Sequence, residues 1–476
     1  MSTSMTRWDG RAWAVLAVLC GAIFLEGIDV AMLNVALPSI RADLGLSTGM
    51  LSGVVSAYVL GYGGFLLLGG RAADLLGRRR MFLLWLTVFL IFSGLGGFAT
   101  DGWTLLLARF VTGVSAAFLT PAGLALVTAH FPAGPQRTRA LGVYAGTAAG
   151  GFSLGLVAGG VLVSFGWRWV FFAPVLMSAA ILLGAVLLIR EPVAQPRPSG
   201  GVDVAGAFSI TGAMLLLAYS VVRLEDPDHG LVGTVAAFAG GLALLTAFVA
   251  IERRSAAPLV RLGILRSGSL VRAGLIAFLF LGSFAGFQFL VTLYLQELRG
   301  WSPLETGLAM LVVGLDTVLS PTLTPKLVNR FGTLRVLLGG LVVAAVAYAL
   351  FLPVGLDWAY VAMLPTMLLL GVAFSLAYGP LTMAATEGVD EREHGLAGGL
   401  LYTATQFGTA VGLSAVTAVQ VAALADGSPQ AGLAALHAAL LVPVVAAVLG
   451  AVIAALGLRG PARRPSRPET HRARAS

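Results

Sequence analysis

Fourteen apolar runs, parted only by short polar, glycine or proline breaks, leave this chain little choice of fold. They cover 12–38, 48–70, 80–99, 103–129, 139–164, 168–190, 204–223, 230–252, 270–297, 304–325, 334–354, 358–386, 394–424 and 432–457. A helix rises about 1.5 Å per residue, so about 20 residues cross the hydrocarbon of a bilayer. There every backbone N–H and C=O must be satisfied within its own segment, which makes each run a helix. Only 11% of the residues are charged, against about 25% in a soluble domain. The expected fold is all-α and polytopic, in the cell membrane.

Charge placement sets the orientation. With the amino terminus inside, cytoplasmic segments hold 25 of the 30 Lys and Arg, outside segments hold four, and Arg109 lies within a span. This bias follows the positive-inside rule and puts both termini in the cytoplasm. The net charge of +8 then serves topology and contact with anionic membrane lipid, and nucleic acid is not an expected partner. Acids in the first span, and the further spans behind it, mark it as retained rather than as a cleaved signal peptide.

One cysteine, Cys20, excludes an internal disulfide framework and a Cys-rich metal site, and the five histidines show no ligand spacing. No metal and no cofactor are expected. The single lysine, Lys326, follows Pro325, whereas a Walker A loop needs Gly-Lys-Ser/Thr. Any pumping by this chain alone would run on an ion gradient.

The runs divide as six, two and six. Residues 1–190 form an expected N-terminal six-helix bundle, 191–269 a linker with two extra helices, 270–457 a C-terminal six-helix bundle, and 458–476 a disordered basic cytoplasmic tail. The Pro/Gly-rich stretch Glu191–Gly201 closes the first group, and the basic segment Glu252–Arg272 precedes the last. A short repeat supports the division: Asp74-Leu75-Leu76-Gly77 after the second run echoes Asn329-Arg330-Phe331-Gly332 after the tenth. Two like halves holding a substrate between them near mid-membrane is an alternating-access plan.

Chemistry enters with the acids at depth. Glu26 and Asp29 stand three residues apart in the first run, on one helical face. A carboxylate at the centre of a bilayer costs about 2.5–3.5 kcal/mol on insertion scales, so such residues face a bundle interior or a watery cavity. There they bind protons, ions or cationic ligands, or pair within a packed bundle. Their titration is expected to be coupled. Arg109, which keeps its charge, must face an acid, a carbonyl or the cavity; it could exchange partners with Glu26 or Asp29, or form a static pair. Asp316 in the tenth run is a third isolated acid, as a cation site, a proton site or a partner for Arg109. Gln288 and Gln406 are intramembrane hydrogen-bonding groups that either line a cavity or bridge helices.

Two motifs are structural in kind. The loop Gly70–Arg80 (GRAADLLGRRR) sets Asp74 before three arginines, a breakable cytoplasmic latch or an ordinary positive-inside loop. The fifth run carries two small-residue tracks, Gly142, Gly146, Gly150 and Gly151, Gly155, Gly159, expected to pack as tight, dry seams. The same run holds Gly151-Phe-Ser-Leu-Gly155, a G-x-S-x-G match, but in continuous apolar sequence without the strand–turn–helix that a hydrolase elbow needs.

These residues resemble the major facilitator superfamily, in its fourteen-span drug:proton antiporter branch. Ile28–Pro38 (IDVAMLNVALP) is similar to the branch's first-helix motif L-D-x-T-I-V-N-V-A-L-P; Asp29, Asn34 and Pro38 match, and Ala31 replaces the threonine. Gly70, Asp74, Gly77, Arg78 and Arg79 match the loop motif GxxxDRxGRR, with Leu75 in place of its first arginine. Arg109 followed by Gly113 resembles the fourth-helix arginine motif linked to proton coupling. Gly155, Gly159 and Gly160 match the fifth-helix antiporter motif G-P-x-x-G-G, whose proline is Leu156 here, a departure that leaves uptake open. Trp167-Arg168-Trp169, Gly300–Pro303, Gly395–Leu400 and Gln406-Phe407-Gly408 also look like this branch.

The resemblance implies a bacterial plasma-membrane exporter, not an enzyme, whose two bundles rock about a central cavity as protons enter. Its partners are a small-molecule substrate, protons and membrane lipid, with the chain a monomer. Asp29 is then the main proton-linked site and Glu26, outside the motif, a helper or substrate contact. Asn34, Gln288 and Gln406 are cavity candidates. Because identified deep acids outnumber Arg109, amphipathic cationic or neutral drugs are the expected cargo, with antibiotic resistance the outcome. The alternatives are a proton-coupled transporter, symporters included, of one amino acid, peptide or siderophore and, more remotely, a non-transporting receptor or scaffold.

Overall fold

The computed structural model describes residues 9–190 except 133, then 203–223, 231–255, 258, 260, 262–390, 393–424 and 428–458. The side chains of Asp74, Val204, Ala207, Ala218, Val221, Val222 and Leu231 are outside that set. The expected linker Glu191–Gly201 and the basic tail beyond Leu458 also lie outside the described residues.

Among the described residues there are sixteen α-helices and no strand. The first six are α1 Gly10–Leu44, α2 Thr48–Leu76, α3 Arg78–Gly97, α4 Gly102–His130, α5 Pro135–Val163 and α6 Trp169–Leu188. Next come α7 Val204–Val222, α8 Leu231–Glu252 and α9 Gly268–Leu293. The rest are α10 Pro303–Leu311, α11 Asp316–Thr322, α12 Thr324–Phe331, α13 Thr333–Phe351, α14 Tyr360–Thr386, α15 His394–Ala423 and α16 Pro429–Leu458. Thirteen helical segments are long and apolar enough to cross a membrane; α7 contributes the shorter apolar stretch Phe208–Leu217.

Local signals explain the ends. Asp9, Ser47 and Asp101 each accept the backbone N–H three residues on, and Ser302 with Glu305 closes a full capping box. Gly77 (φ 102°) and Gly332 (φ 85°) make the tight turns after α2 and α12, in a region that side-chain-bearing residues rarely adopt. The faint sequence repeat thus falls on two turns of the same backbone shape.

The tenth run departs from the expectation of one span over 304–325. It breaks into α10, a 3-10 stretch Val312–Leu315, α11 and α12, and helix continues to Phe331. Pro321 and Pro325 each remove an N–H, and Gly314 weakens the helix before them.

Helix contacts fall into two groups. In the first, α1 lies against α5 and α6, and α4 against α2 and α3; in the second, α9 lies against α15 and α16, and α13 against α14 and α16. The groups meet where α2 faces α15 and α5 faces α10. Helix α7 packs on α8, α2 and α15, and Thr211 donates to the Gly64 carbonyl at 2.6 Å. Phe98, Phe165 and Val361 are each about three-quarters exposed, which suits a surface solvated by lipid.

At the outer end Arg41 of α1 meets Glu297, just past α9, at 3.0 Å, and Gln296 donates to the Val35 carbonyl at 2.9 Å. Both members of the ion pair are one-third exposed, so the pair is worth little on its own. A double-mutant cycle with Arg41→Gln and Glu297→Gln is expected to give a coupling under about 1 kcal/mol that shrinks with salt. A coupling several times larger would mean that the pair is shut off from solvent.

Candidate functional site

The site is built around the middle of α1. Asp29 and Arg109 of α4 are each 2% exposed and bond directly, Nη1 to Oδ2 at 2.6 Å. Of the partners open to Arg109 in the sequence, Asp29 is the one it takes, and the pairing with Asp316 is not what the structure shows. The guanidinium carbon also lies 4.4 Å from the ring centre of Tyr58 on α2, within the reach of a cation–π contact.

Glu26, one turn away, has different company. Thr120 of α4 donates to its Oε2 at 2.7 Å, and the Tyr402 hydroxyl of α15 reaches its Oε1 at 3.5 Å. Tyr62 of α2 bonds Thr120 at 2.7 Å, and its ring lies 5.1 Å from that of Tyr402. When the Thr120 proton goes to Glu26, the Tyr62 hydroxyl must be the donor to Thr120. Thus one acid of α1 is bound inside its own group of helices, and the other touches the second group. Behind Tyr402 lies a cavity of about 140 Å³ lined by Ala277, Tyr378, Leu381, Leu401 and Thr405 among others. Drug-sized pockets run to about 300–1,000 Å³, so a ligand of that size requires this space to widen.

The contacts at Glu26 differ in strength. Thr120→Val should cost about 1.5–3 kcal/mol, the range for a hydrogen bond to a charged group. Tyr402→Phe should cost under about 1 kcal/mol, since a bond at 3.5 Å is at the edge of geometric acceptance. Unfolding of the purified variants checks the order, and the reverse order would show Tyr402 as the real anchor.

The other expected residues are distributed. Asn34 is half-buried on α1, and Gln288 is buried on α9. The stem of Gln406 on α15 lies 2.8 Å from where a Cβ on Gly63 of α2 would stand, so this residue packs where the two groups of helices meet. Asp316 is half-buried at the first turn of α11, apart from the Asp29–Arg109 pair; its neighbour Thr317 bonds Ser153 of α5 at 3.3 Å. That serine sits within an unbroken helix, which removes the nucleophile-elbow reading.

In the cytoplasmic loop, Arg79 donates to the carbonyls of Ile189 and Val186 at 2.6 and 3.2 Å, and Arg78 reaches the Ala125 carbonyl at 3.4 Å. Arg79 thereby satisfies carbonyls at the C-terminal end of α6. The side chain of Asp74, the acid of the expected latch, lies outside the described residues. Gly70 has only Pro121 within 4 Å of a notional Cβ, whereas one on Gly69 would come 3.0 Å from Phe118 Cα of α4. The close approach belongs to the unremarked neighbour.

The two glycine tracks of α5 also part company. A Cβ on Gly151, Gly155 or Gly159 would strike the backbone of α1, at Phe24, Ile28 and Met32 respectively. One on Gly160 would come 2.7 Å from Leu304 Cα at the start of α10, and α10 answers with Gly307 against the Leu156 carbonyl. Gly142, Gly146 and Gly150 have nothing within 4 Å among the described residues. The expectation of two packed seams is corrected to one, because among the described residues no helix approaches the Gly142–Gly146–Gly150 face.

Sequence reading missed Tyr58, Tyr62, Thr120 and Tyr402. The only signal was the i, i+4 spacing of Tyr58 and Tyr62 on α2, which puts both rings on one face.

A family model described as Major Facilitator Superfamily matches residues 19–413. The chain is 35% identical over 429 residues to the puromycin resistance protein pur8 of Streptomyces alboniger, covering 88% of this chain and 83% of that one. It is 34% identical over 430 residues to the cephamycin export protein CmcT of Amycolatopsis lactamdurans, covering 88% and 87%. Among solved structures, the POT family transporter PepTSo superposes with a TM-score of 0.70 at 16% identity, over 95% of this chain and 98% of that one. At that identity the likeness is one of fold.

Proposed function

We propose, from the premise that the chain belongs to the Major Facilitator Superfamily and is a multi-pass plasma-membrane transporter, that it exports an antibiotic or similar drug in exchange for protons. The cargo is an amphipathic cationic or neutral molecule, and the antibiotics named for its relatives would be tried first. Two six-helix bundles, with α7 and α8 inserted between them, rock about the space beside Glu26.

The observation that carries this reading is the pair of acids one turn apart with separate partners. Asp29 faces a fixed cation, and Glu26 faces hydroxyls and the opposite group of helices. Asp29 serves as the proton-linked group, with Arg109 as its counter-ion, and Glu26 as the substrate contact. Proton and cationic substrate then compete for negative charge in one small region, which is the simplest chemistry of exchange. The drive suffices: one charge moved through 100 mV releases about 2.3 kcal/mol, or roughly a fortyfold concentration ratio. Electroneutral exchange of one proton for one monovalent cation would draw on the pH difference alone.

Proteoliposomes with an imposed pH gradient test this, comparing wild type with Asp29→Asn against puromycin, a cephamycin, lincomycin and cationic dyes while internal pH is followed. The expected result is substrate-evoked proton counterflow in wild type and its loss in the variant. Unchanged transport in Asp29→Asn would remove the Asp29 assignment. Proton and substrate moving in the same direction would make the protein a symporter and Leu156 the informative departure.

A further inference from the structure

We propose that Tyr58 is the standing partner of the Arg109 guanidinium, holding that cation in place during the part of the cycle in which Asp29 is neutral. The inference rests on the proton-linked reading of Asp29, and deepens it.

Arg109 is 2% exposed, and an arginine guanidinium is a permanent cation. Its one carboxylate bond runs from Nη1 to Asp29, and its Nε–H finds no acceptor among the described residues. Neutralising one member of a buried pair leaves an uncompensated charge, whose cost exceeds anything the pair contributes. A proton site with such a counter-ion can be cycled only if a second source of negative potential is already present.

The groups that could supply it are few. Around Tyr58 of α2 the charged and titratable groups are Glu26 and Asp29 of α1, Arg109 of α4 and Tyr402 of α15. Glu26 is held by Thr120 and Tyr402. Helix α3 has no titratable residue past Arg80. On α5 the nearest such group, Tyr144, lies by Gly123, about four helical turns along α4 from Arg109.

The Tyr58 ring, by contrast, lies under the guanidinium at 4.4 Å and is itself 2% exposed. Cation–π attraction is strongest when desolvated. The ring is fixed by packing, since its hydroxyl has no hydrogen-bond partner among the described residues. One turn past Arg109, a Cβ on Gly113 would lie 2.9 Å from Tyr58 Cα, so the backbones of α2 and α4 touch beside the contact. Tyr62 meets Tyr58 edge-on at 6.0 Å and closes the other side.

Fluorinated phenylalanines keep the shape of the ring while draining its negative face. The test inserts Phe, difluoro-Phe or trifluoro-Phe at position 58 of the full chain in lipid nanodiscs, with wild-type Asp29 and with Asp29→Asn. Two readouts are followed: the Arg109 Nε–H resonance, assigned by its loss in Arg109→Gln, and the rate of thermal unfolding.

In Asp29→Asn the resonance should keep its ring-current shift with Tyr or Phe at 58 and lose it in Tyr58→Leu. Fluorination should speed unfolding in the Asp29→Asn background by about tenfold or more across the series, and by less than about threefold with Asp29 intact. Equal effects in both backgrounds would reduce Tyr58 to packing and overturn the proposal, as would an Arg109 resonance that leaves the ring once Asp29 is neutral. Neither readout uses transport, so failure of proton exchange and failure of this assignment are told apart.

Discussion

Asp29→Asn is expected to destabilise the protein by about 3 kcal/mol, the low end of the range for breaking a buried ion pair on one side. The cost comes from Arg109, left charged and 2% exposed without its carboxylate. It stays at the low end because the Tyr58 ring at 4.4 Å retains part of the compensation. Removing both charges, in Asp29→Asn with Arg109→Gln, should recover most of the loss, since the lone cation is then gone. The cycle of two single variants and one double, read by unfolding of the purified protein, should give a coupling of about 2 kcal/mol or more. Additive costs would mean that each side chain acts through other contacts, and the pair would lose its place at the centre of the site.

Gly159→Val on α5 is expected to cost more than about 3 kcal/mol, beyond the usual range for overpacking, and to abolish transport. A Cβ at Gly159 would lie 2.7 Å from Met32 Cα and 2.9 Å from the Met32 carbonyl oxygen. Backbone atoms cannot rotate out of the way, so the two helices must separate. Gly146→Ala on the same helix should instead stabilise this conformation by about 0.5–1 kcal/mol, the helix propensity gained when nothing opposes the new methyl. Unfolding of both variants checks the contrast. Equal destabilisation would show that the Gly146 face is packed in solution as well.

The contrast also marks where sequence reading stops. Both tracks have spacing four and identical composition, and nothing within α5 says which one meets a neighbour. That depends on which face of α5 the fold turns toward α1. The acids were legible because a carboxylate in an apolar run has few physical excuses, and Arg109 was legible for the same reason. Their mutual choice was not: Asp29 and Glu26 differ by one turn, and the partners that separate them come from three helices. Tyr402 is 376 positions from Glu26, and a tyrosine in a membrane helix is too ordinary to draw notice. The break in the tenth span is a different kind of miss. Gly314, Pro321 and Pro325 were all visible, but hydropathy runs through them and masks their effect on the backbone.

The contact between α5 and α10 is one of main chain with main chain, Gly160 on Leu304 and Gly307 on Leu156. A fit made by backbone atoms is blind to whatever side chains face the interior. Residues beside Glu26 and Tyr402 can therefore be exchanged, one at a time, without refitting that contact. In the exporter proposed above, selectivity and closure would then be separately heritable, and a lineage could change its cargo while keeping its door.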